Sequence, residues 1–176
     1  MFKILHNQFG DRVKQNVDLS PYFTLKMHAV AEYYLEAESM ADWQEIMKIT
    51  STHKIPLLIL GGGSNIAALA QTIPGLVVRN RYMKKEIVED AQGHVELLIS
   101  SAYPMSHVVK ETTESGLSGF EYHLGLPGTL GGAIYMNSKW TKPLSYVGDT
   151  LIQGTIMDSI GEIRTEPREY FQFAYD

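Results

Sequence analysis

PLLILGGGSN, residues 56–65, is the stretch of sequence that decides the fold. Its first half, Leu57–Leu60, is a short continuous apolar run, typical of a strand buried on both faces of a sheet. Three glycines and two small polar residues follow at once. Consecutive glycines let the backbone approach a ligand closely and turn its N–H groups inward, so the stretch predicts a phosphate-binding loop. The same glycines are also compatible with a simple mobile turn.

The loop is not one of the common nucleotide-binding motifs. No Gly-Lys-Ser or Gly-Lys-Thr ends it, and its glycines lack the spacing of GxGxxG. A nucleoside triphosphatase is therefore not expected.

The segments around the loop predict a strand, a helix and a strand in succession. Aromatic and β-favouring residues within 24–36 indicate one or two strands. Ser39 precedes an amphipathic pattern that runs to His53 and is placed to cap that helix. Residues 75–80 form a further short strand after a Pro-Gly turn. This order is that of a βαβ beginning.

The second half of the chain predicts further strands and one longer helix, which makes the whole an α+β chain in two lobes. Composition shifts near residue 82, so we expect a leader at 1–22 that lies on a neighbouring surface, a first lobe at 23–82 and a second at 83–176. The predicted elements are two strands within 84–101 joined around Gln92, a helix at 104–116 with Gly116 as its left-handed cap, strands at 134–136 and 151–157, a turn at 158–161, a return strand at 163–165 and a helical turn at 167–171.

A second glycine-rich segment, GLSGFEYHLGLPGTLGGA, occupies residues 116–133. Six glycines and a proline in eighteen residues predict many special backbone dihedrals. Such a backbone suits a segment that lies along a flat ring and directs main-chain groups at its edges. A tight connection between a helix and a strand is the alternative.

Composition excludes several classes of protein. The formal charge of −5 argues against a nucleic-acid binder, because such proteins concentrate positive charge. The sequence has no cysteine, which excludes disulfides, thiolate zinc sites, iron–sulfur clusters and thiol catalysis. Scattered histidines without ligand spacing predict no metal site. No apolar run is long enough for a signal peptide or a membrane span, so we expect a cytoplasmic protein that needs a bound cofactor for any redox chemistry.

The order of three motifs is more specific than either glycine segment. PLLILGGGSN, then GLVVRN, then GLSGFEYHLGLPGTLGGAIYMN resembles the UDP-N-acetylenolpyruvoylglucosamine reductase (MurB) family of peptidoglycan synthesis, over residues 24–175. The resemblance implies the two-lobed FAD-binding fold of the vanillyl-alcohol oxidase/PCMH type. It also implies an oxidoreductase in which hydride passes from NADPH to FAD and then to UDP-N-acetylglucosamine enolpyruvate, the reaction of UDP-N-acetylmuramate dehydrogenase.

The resemblance implies an FAD site made of two segments. By position, the phosphate-binding residues are Gly61, Gly62, Gly63, Ser64 and Asn65. The residues implied along the path from adenosine to flavin are Gly125, Pro127, Gly128, Thr129, Gly131 and Gly132, with Tyr122 and Asn137 beside them. No catalytic residue and no metal ligand is assigned.

The sequence departs from the family at three places. Ser100–Ala102 replaces a usual Gly-Ala-Gly, and residues 138–143 replace a glycine-tyrosine loop. Asp176 stands where a substrate-side arginine is expected, and an acidic group cannot replace guanidinium there. The family's further domain, which holds substrate and supplies a serine proton donor and a glutamate, has no matching positions. We therefore expect an FAD-holding module that is incomplete or inactive alone.

Two alternatives remain open at this stage. The first is a flavin-free interaction module that reuses the fold. The second is one half of a split reductase whose substrate-binding domain is a separate polypeptide. Apolar side chains at Tyr170, Phe171, Phe173 and Tyr175 would favour the second, because large apolar patches tend to be interfaces. Expected partners are FAD and such a domain or a second copy of the chain, with neither nucleic acid nor membrane.

Overall fold

The computed structural model describes residues 1–89, 93 and 95–174, which form two compact units. The first unit contains Met1–Tyr82 and Met157–Arg164. The second contains Met83–Ile156 and Thr165–Asp176. The expected division into a leader and two lobes stays a prediction. Within the described ranges, every helix is too short or too polar to cross a bilayer.

The first unit is built on a four-stranded sheet in the order β1-β2-β4-β3. Its strands are β1 (Lys14–Asp18), β2 (Val30–Ala37), β3 (Leu57–Leu60) and β4 (Thr72–Asn80). Both β2 and β3 run parallel to β4, whereas β1 is antiparallel to β2. Helix α2 (Met40–His53) connects β2 to β3, so the predicted strand-helix-strand beginning is confirmed.

Two hydrophobic clusters cover the two faces of this sheet, because neighbouring residues of a strand point to opposite faces. On one face, Leu35, Leu76 and Val78 pack with Ile46 of α2. On the other, Tyr34 and Val77 pack with residues of the chain's beginning, among them Leu19 and Phe23.

The first 22 residues hold more regular structure than their sequence pattern predicts. They contain helix α1 (Phe2–Phe9) and strand β1, and Leu5 is fully buried in the α2 face of the core. An eight-residue helix with two buried side chains is too short to show a period. Strand β1 lies at a sheet edge and is mostly exposed, so its polar sequence does not alternate.

Strand β3 forms where it was predicted, but the prediction that it is buried on both faces was wrong. It lies at the edge of the sheet, where Ile59 is 53% exposed and only Leu60 is buried. The inner strand with the continuous buried run is β4, in which Leu76, Val77 and Val78 are fully buried. An apolar run alone does not distinguish an inner strand from an edge strand.

Helix α2 is fixed at its start by a cap and an ion pair. The hydroxyl of Ser39 accepts a hydrogen bond from the N–H of Asp42 at 3.0 Å, as its sequence position predicted. The guanidinium of Arg12 donates two hydrogen bonds to the Asp42 carboxylate, at 2.9 and 2.8 Å. The guanidinium of Arg12, with the backbone N–H of Glu38, lowers the pKa of Asp42 from 3.8 to about 2.

This lowered pKa predicts an acid-dependent loss of stability. A carboxyl whose folded pKa lies below its unfolded value stabilises the protein above pH 4, and the stabilisation disappears as pH falls from about 4 to about 2. We expect Asp42→Asn to lower the free energy of unfolding by about 1 kcal/mol at pH 7, since Arg12 is partly solvated. Urea unfolding at pH 7 and pH 3 checks this. The difference between wild type and variant should shrink at pH 3, whereas the exposed-carboxylate control Glu162→Gln should show no such change.

The second unit consists of short strands and two helices. The predicted strands within 84–101 are β5 (Lys85–Glu89) and β6 (Val95–Ile99), which pair antiparallel. The remaining elements are α3 (Met105–Glu114), α4 (Leu130–Tyr135), the hairpin β7 (Lys139–Thr141) and β8 (Leu144–Tyr146), and the paired strands β9 (Gln153–Met157) and β10 (Ile163–Pro167). The predicted turn residue Gln92 lies outside the described residues.

Most predictions for these elements are confirmed, and one is wrong. Helix α3 ends as predicted, with Gly116 in the left-handed region at φ +72°. Residues 134–136, however, do not form a strand, because Ile134 and Tyr135 belong to α4. The hydroxyl of Thr129 accepts a hydrogen bond from the N–H of Gly132 at 3.4 Å and caps this helix. Two glycines in its first turn hide the helix from a propensity argument, since glycine is a poor helix former.

Candidate functional site

The first glycine segment lies at the edge of the sheet where ligands bind in open α/β structures. Strands β2, β3 and β4 are mutually parallel and end at Ala37, Leu60 and Asn80. Residues 61–65 leave the sheet directly after Leu60, at this carboxyl edge. Ligands of parallel sheets collect outside the carboxyl ends of the strands. The fold of the first unit therefore puts the predicted phosphate loop at a position suited to a ligand.

Gly63 is the structural pivot of this loop. It is buried at φ +71°, and a Cβ built on it would lie 2.2 Å from the carbonyl oxygen of Tyr22. A side chain therefore cannot be accommodated without moving backbone. Around the pivot, Gly62 and Asn65 are exposed, while Gly61 and Ser64 are half-buried. The contact with Tyr22 fixes the loop while leaving part of its backbone accessible.

A cluster of aromatic and charged side chains lies beside the loop, and the sequence analysis did not assign it. Arg79 stands opposite Leu60 in the β3–β4 pairing. Its guanidinium carbon lies 4.5 Å from the ring centroid of Tyr22. Its Nη1 lies 3.3 Å from a carboxylate oxygen of Glu36. The same oxygen accepts a hydrogen bond from the Tyr34 hydroxyl at 2.8 Å. Burial, together with hydrogen bonds to Tyr22 and Glu36, raises the pKa of Tyr34.

This cluster has an excess of positive charge. A second guanidinium, that of Arg81, lies 3.9 Å from the other oxygen of Glu36. Two arginines therefore share one carboxylate. The signal in the sequence was a polar residue closing the buried run GLVV, but its meaning depends on strand register.

The second glycine segment is joined to the start of α3 by backbone hydrogen bonds. The N–H of Leu130 donates to Tyr103 O at 2.8 Å, and that of Met105 donates to Gly128 O at 3.0 Å. Gly128 has φ +99°, a conformation that suits glycine alone. Within this segment Gly125, Pro127 and Gly132 are exposed, and Gly128 and Thr129 are half-buried. The predicted path residues thus form a fixed backbone with accessible stretches.

Gly131 explains how this unit accommodates the departure at Ser100–Ala102. The N–H of Gly131 donates to Ser101 O at 2.9 Å. A Cβ built on Gly131 would lie 2.7 Å from the Cβ of Ser101. The glycine at 131 therefore permits close approach to Ser101. Its role in the structure is a backbone contact within the protein.

The two residues named beside the path have different surroundings. Tyr122 is 47% exposed in a single helical turn, Glu121–His123. Asn137 is 7% exposed at φ +41°, and both ends of its amide are used. Its oxygen accepts from Gly148 N at 3.1 Å, and its nitrogen donates to Ala174 O at 3.4 Å. Asn137 thus braces the end of α4, whereas Tyr122 is available to a ligand.

His123 packs in the core of the second unit, as its sequence context favoured. It is 3% exposed, with Nε2 at 3.2 Å from the Ser145 hydroxyl. Burial lowers the pKa of His123, opposed by the charge of Glu121. Elsewhere, the described part of the chain brings together no group of three His, Asp or Glu side chains able to hold a metal ion.

The second unit contains a cavity of about 490 Å³ beside α4. Residues of α4 and of the segment 171–174 line it, namely Gly131, Ile134, Tyr135, Asn137, Phe171, Gln172, Phe173 and Ala174. Tyr135 is 87% exposed, and Tyr170 is 46% exposed. Tyr175 and Asp176, named in the sequence predictions, lie outside the described residues.

The two segments together fit a dinucleotide with a diphosphate better than they fit a metal or a polymer. The first unit offers an accessible glycine backbone beside surplus positive charge, which suits an anion. The second offers a fixed, partly exposed backbone and an accessible tyrosine ring, which suit a flat heterocycle. The residues present therefore fit FAD.

Comparison with known proteins agrees with this chemistry. The family model of the FAD binding domain matches residues 31–166. UDP-N-acetylenolpyruvoylglucosamine reductase of Chlamydia trachomatis serovar L2 is 32% identical over 169 residues, which cover 96% of this chain and 56% of that protein. The protein of the same name from Synechocystis sp. is 26% identical over 166 residues and is covered to 51%. The chain thus spans about half the length of these curated relatives.

Solved structures show the same fold. The crystal structure of UDP-N-acetylenolpyruvylglucosamine reductase (MurB) from Thermus caldophilus superposes with a TM-score of 0.72 at 26% identity, covering 93% of this chain and 55% of that one. p-Cresol methylhydroxylase superposes with a TM-score of 0.62 at 14% identity, over 93% of this chain and 34% of that one, which is likeness of fold alone. The predicted fold type is confirmed. With its family match over residues 31–166, this chain belongs to the FAD binding domain family, and its resemblance within that family is to MurB.

Proposed function

We propose that the chain binds FAD through the two glycine-rich segments predicted from the sequence. Gly61, Gly62, Gly63, Ser64 and Asn65 hold the diphosphate with backbone N–H groups and small polar side chains. Gly125, Pro127, Gly128, Thr129 and Gly132 follow the cofactor towards the flavin, with Tyr122 against it. Gly131 and Asn137 shape that path through backbone contacts. The observation that carries the proposal is the glycine loop pinned by Gly63 on Tyr22 at the carboxyl edge of the parallel strands.

We further propose that this FAD serves the reaction named for the chain's relatives, the reduction of UDP-N-acetylglucosamine enolpyruvate. FAD supplies the hydride chemistry when bound, and NADPH is the proposed reductant. This chain's residues bind and orient the cofactor. A substrate-binding domain on a separate polypeptide, or a second copy of this chain, supplies the remaining groups. The proposed location is the cytoplasm.

A second candidate function is an interaction module without flavin. The exposed aromatic side chains of the second unit favour it, since Tyr135 is 87% and Trp140 is 50% exposed. Solvent-exposed aromatic rings at a cleft are typical of protein interfaces. This candidate and the split reductase share a protein partner, and flavin binding separates them.

The deciding experiment is the visible absorption spectrum of the purified protein before and after addition of FAD. We expect a bound flavin spectrum at about one FAD per chain, and slow bleaching on anaerobic addition of NADPH if the reductive half-reaction needs only this chain. A bound flavin without bleaching would retain the FAD proposal and remove the proposed role of NADPH for the chain alone. Absence of any flavin binding by a folded protein would contradict the proposal and favour the interaction module.

A further inference from the structure

The cluster beside the glycine loop has features of a ligand site that its packing alone does not require. The Arg79 side chain retains 27% exposure at the carboxyl edge of the sheet. Among the described residues its hydrogen-bond acceptor is Glu36, which uses one N–H of a guanidinium that carries five. Surplus charge and remaining donors therefore occur together on one residue.

The surroundings of Arg79 fix its position relative to the loop. Arg79 pairs with Leu60, whose next residue is Gly61. The Tyr22 ring lies under its guanidinium, and the Tyr22 carbonyl lies against Gly63. Tyr22 therefore contacts both the arginine and the glycine loop, so the two are held in one arrangement. Tyr34 stacks on Tyr22 with ring centroids 5.9 Å apart and restrains that ring in turn.

We propose that Arg79 is a cofactor-binding residue whose guanidinium holds the diphosphate of FAD beside the glycine loop, and that Tyr22 and Glu36 are its positioning residues. This inference rests on the proposed function. Guanidinium matches phosphate oxygens with two parallel hydrogen bonds, which a backbone loop alone cannot supply with a full charge. Stacking on Tyr22 and the contact with Glu36 prepare the guanidinium before the ligand arrives, which lowers the entropic cost of binding. The glycine loop contributes neutral donors, and Arg79 contributes the charge.

The test is a set of binding titrations with FAD, ADP and riboflavin on the full chain, using intrinsic and flavin fluorescence. Arg79→Met keeps an apolar stem over Tyr22 and removes charge and donors. We expect it to weaken FAD and ADP by about 10- to 100-fold and to change riboflavin, which has no phosphate, by less than about twofold. Arg79→Lys, which keeps the charge without the fork, should fall between wild type and Arg79→Met. The wild-type affinity for FAD should also fall with salt more steeply than that of Arg79→Met.

A matched control is Lys48→Gln, which removes one exposed positive charge from α2, on the other face of the sheet. We expect it to leave all three affinities within about twofold. Circular dichroism melting of each variant reports folding. If Arg79→Met is folded and binds FAD and ADP within twofold of wild type, the inference is wrong and the proposed function stands. Equal weakening of riboflavin and FAD would also overturn it, because the loss would then be of the loop as a whole. If wild type binds no FAD, the proposed function itself fails.

Discussion

Gly63→Ala is expected to lower the free energy of unfolding by about 3–5 kcal/mol and to abolish FAD binding. The left-handed backbone at φ +71° costs an alanine about 1–2 kcal/mol. The larger effect comes from the carbonyl oxygen of Tyr22, 2.2 Å from the new Cβ, because relief of that contact must separate the loop from the chain it packs against. Urea unfolding followed by circular dichroism measures the first effect, and flavin fluorescence measures the second.

Gly116→Ala is a closely matched control for this prediction. Its φ of +72° is nearly identical, but nothing lies within 4 Å of a Cβ built there. We expect a loss of about 1–2 kcal/mol, caused by the backbone conformation alone. The difference between the two variants therefore isolates the contact with Tyr22. Equal losses for both would show that the loop yields at Gly63 and that Tyr22 does not fix it.

Leu5→Ala is expected to lower the free energy of unfolding by about 2–5 kcal/mol. Leu5 is fully buried and packs in the cluster that holds Leu35, Ile46 and Leu76. Truncation leaves a cavity among side chains of three elements, which relax only in part. The control is the same substitution at Leu69, which is 96% exposed, where we expect less than about 0.5 kcal/mol. Urea unfolding measures both. A small loss at Leu5 would mean that the first helix is dispensable, as expected of a detachable leader.

Local signals predicted much of the fold correctly. The hydroxyl of Ser39 caps α2, and Gly116 ends α3 in the left-handed region. The turn at 158–161 closes with Gly161 N–H donating to Asp158 O at 3.1 Å. Each of these depends on residues within four positions of one another, so a single sequence carries the information.

Features set by distant contacts were not predictable in the same way. The exposure of Ile59 depends on which strand lies at the sheet edge, and pairing partners decide that. Helix α4 begins with glycines that disfavour it, and contacts with Ser101 and Tyr103 hold it instead. The cluster of Arg79 with Glu36 requires the β2–β4 register, which pairs these two residues. In the candidate site, the glycine loop was visible in the sequence, whereas the charge beside it was not.

The path of the chain between the two units limits how the protein can be divided. Residues 157–164 belong to the first unit although residues on both sides of them belong to the second. The first unit is therefore discontinuous, and Gly161 would bring a Cβ within 3.2 Å of the Gln44 carbonyl oxygen. A single proteolytic or genetic cut after Tyr82 yields a fragment without this returning segment. The units are consequently poor cassettes for transplantation or separate expression, and a clean excision needs a designed linker in place of residues 83–156.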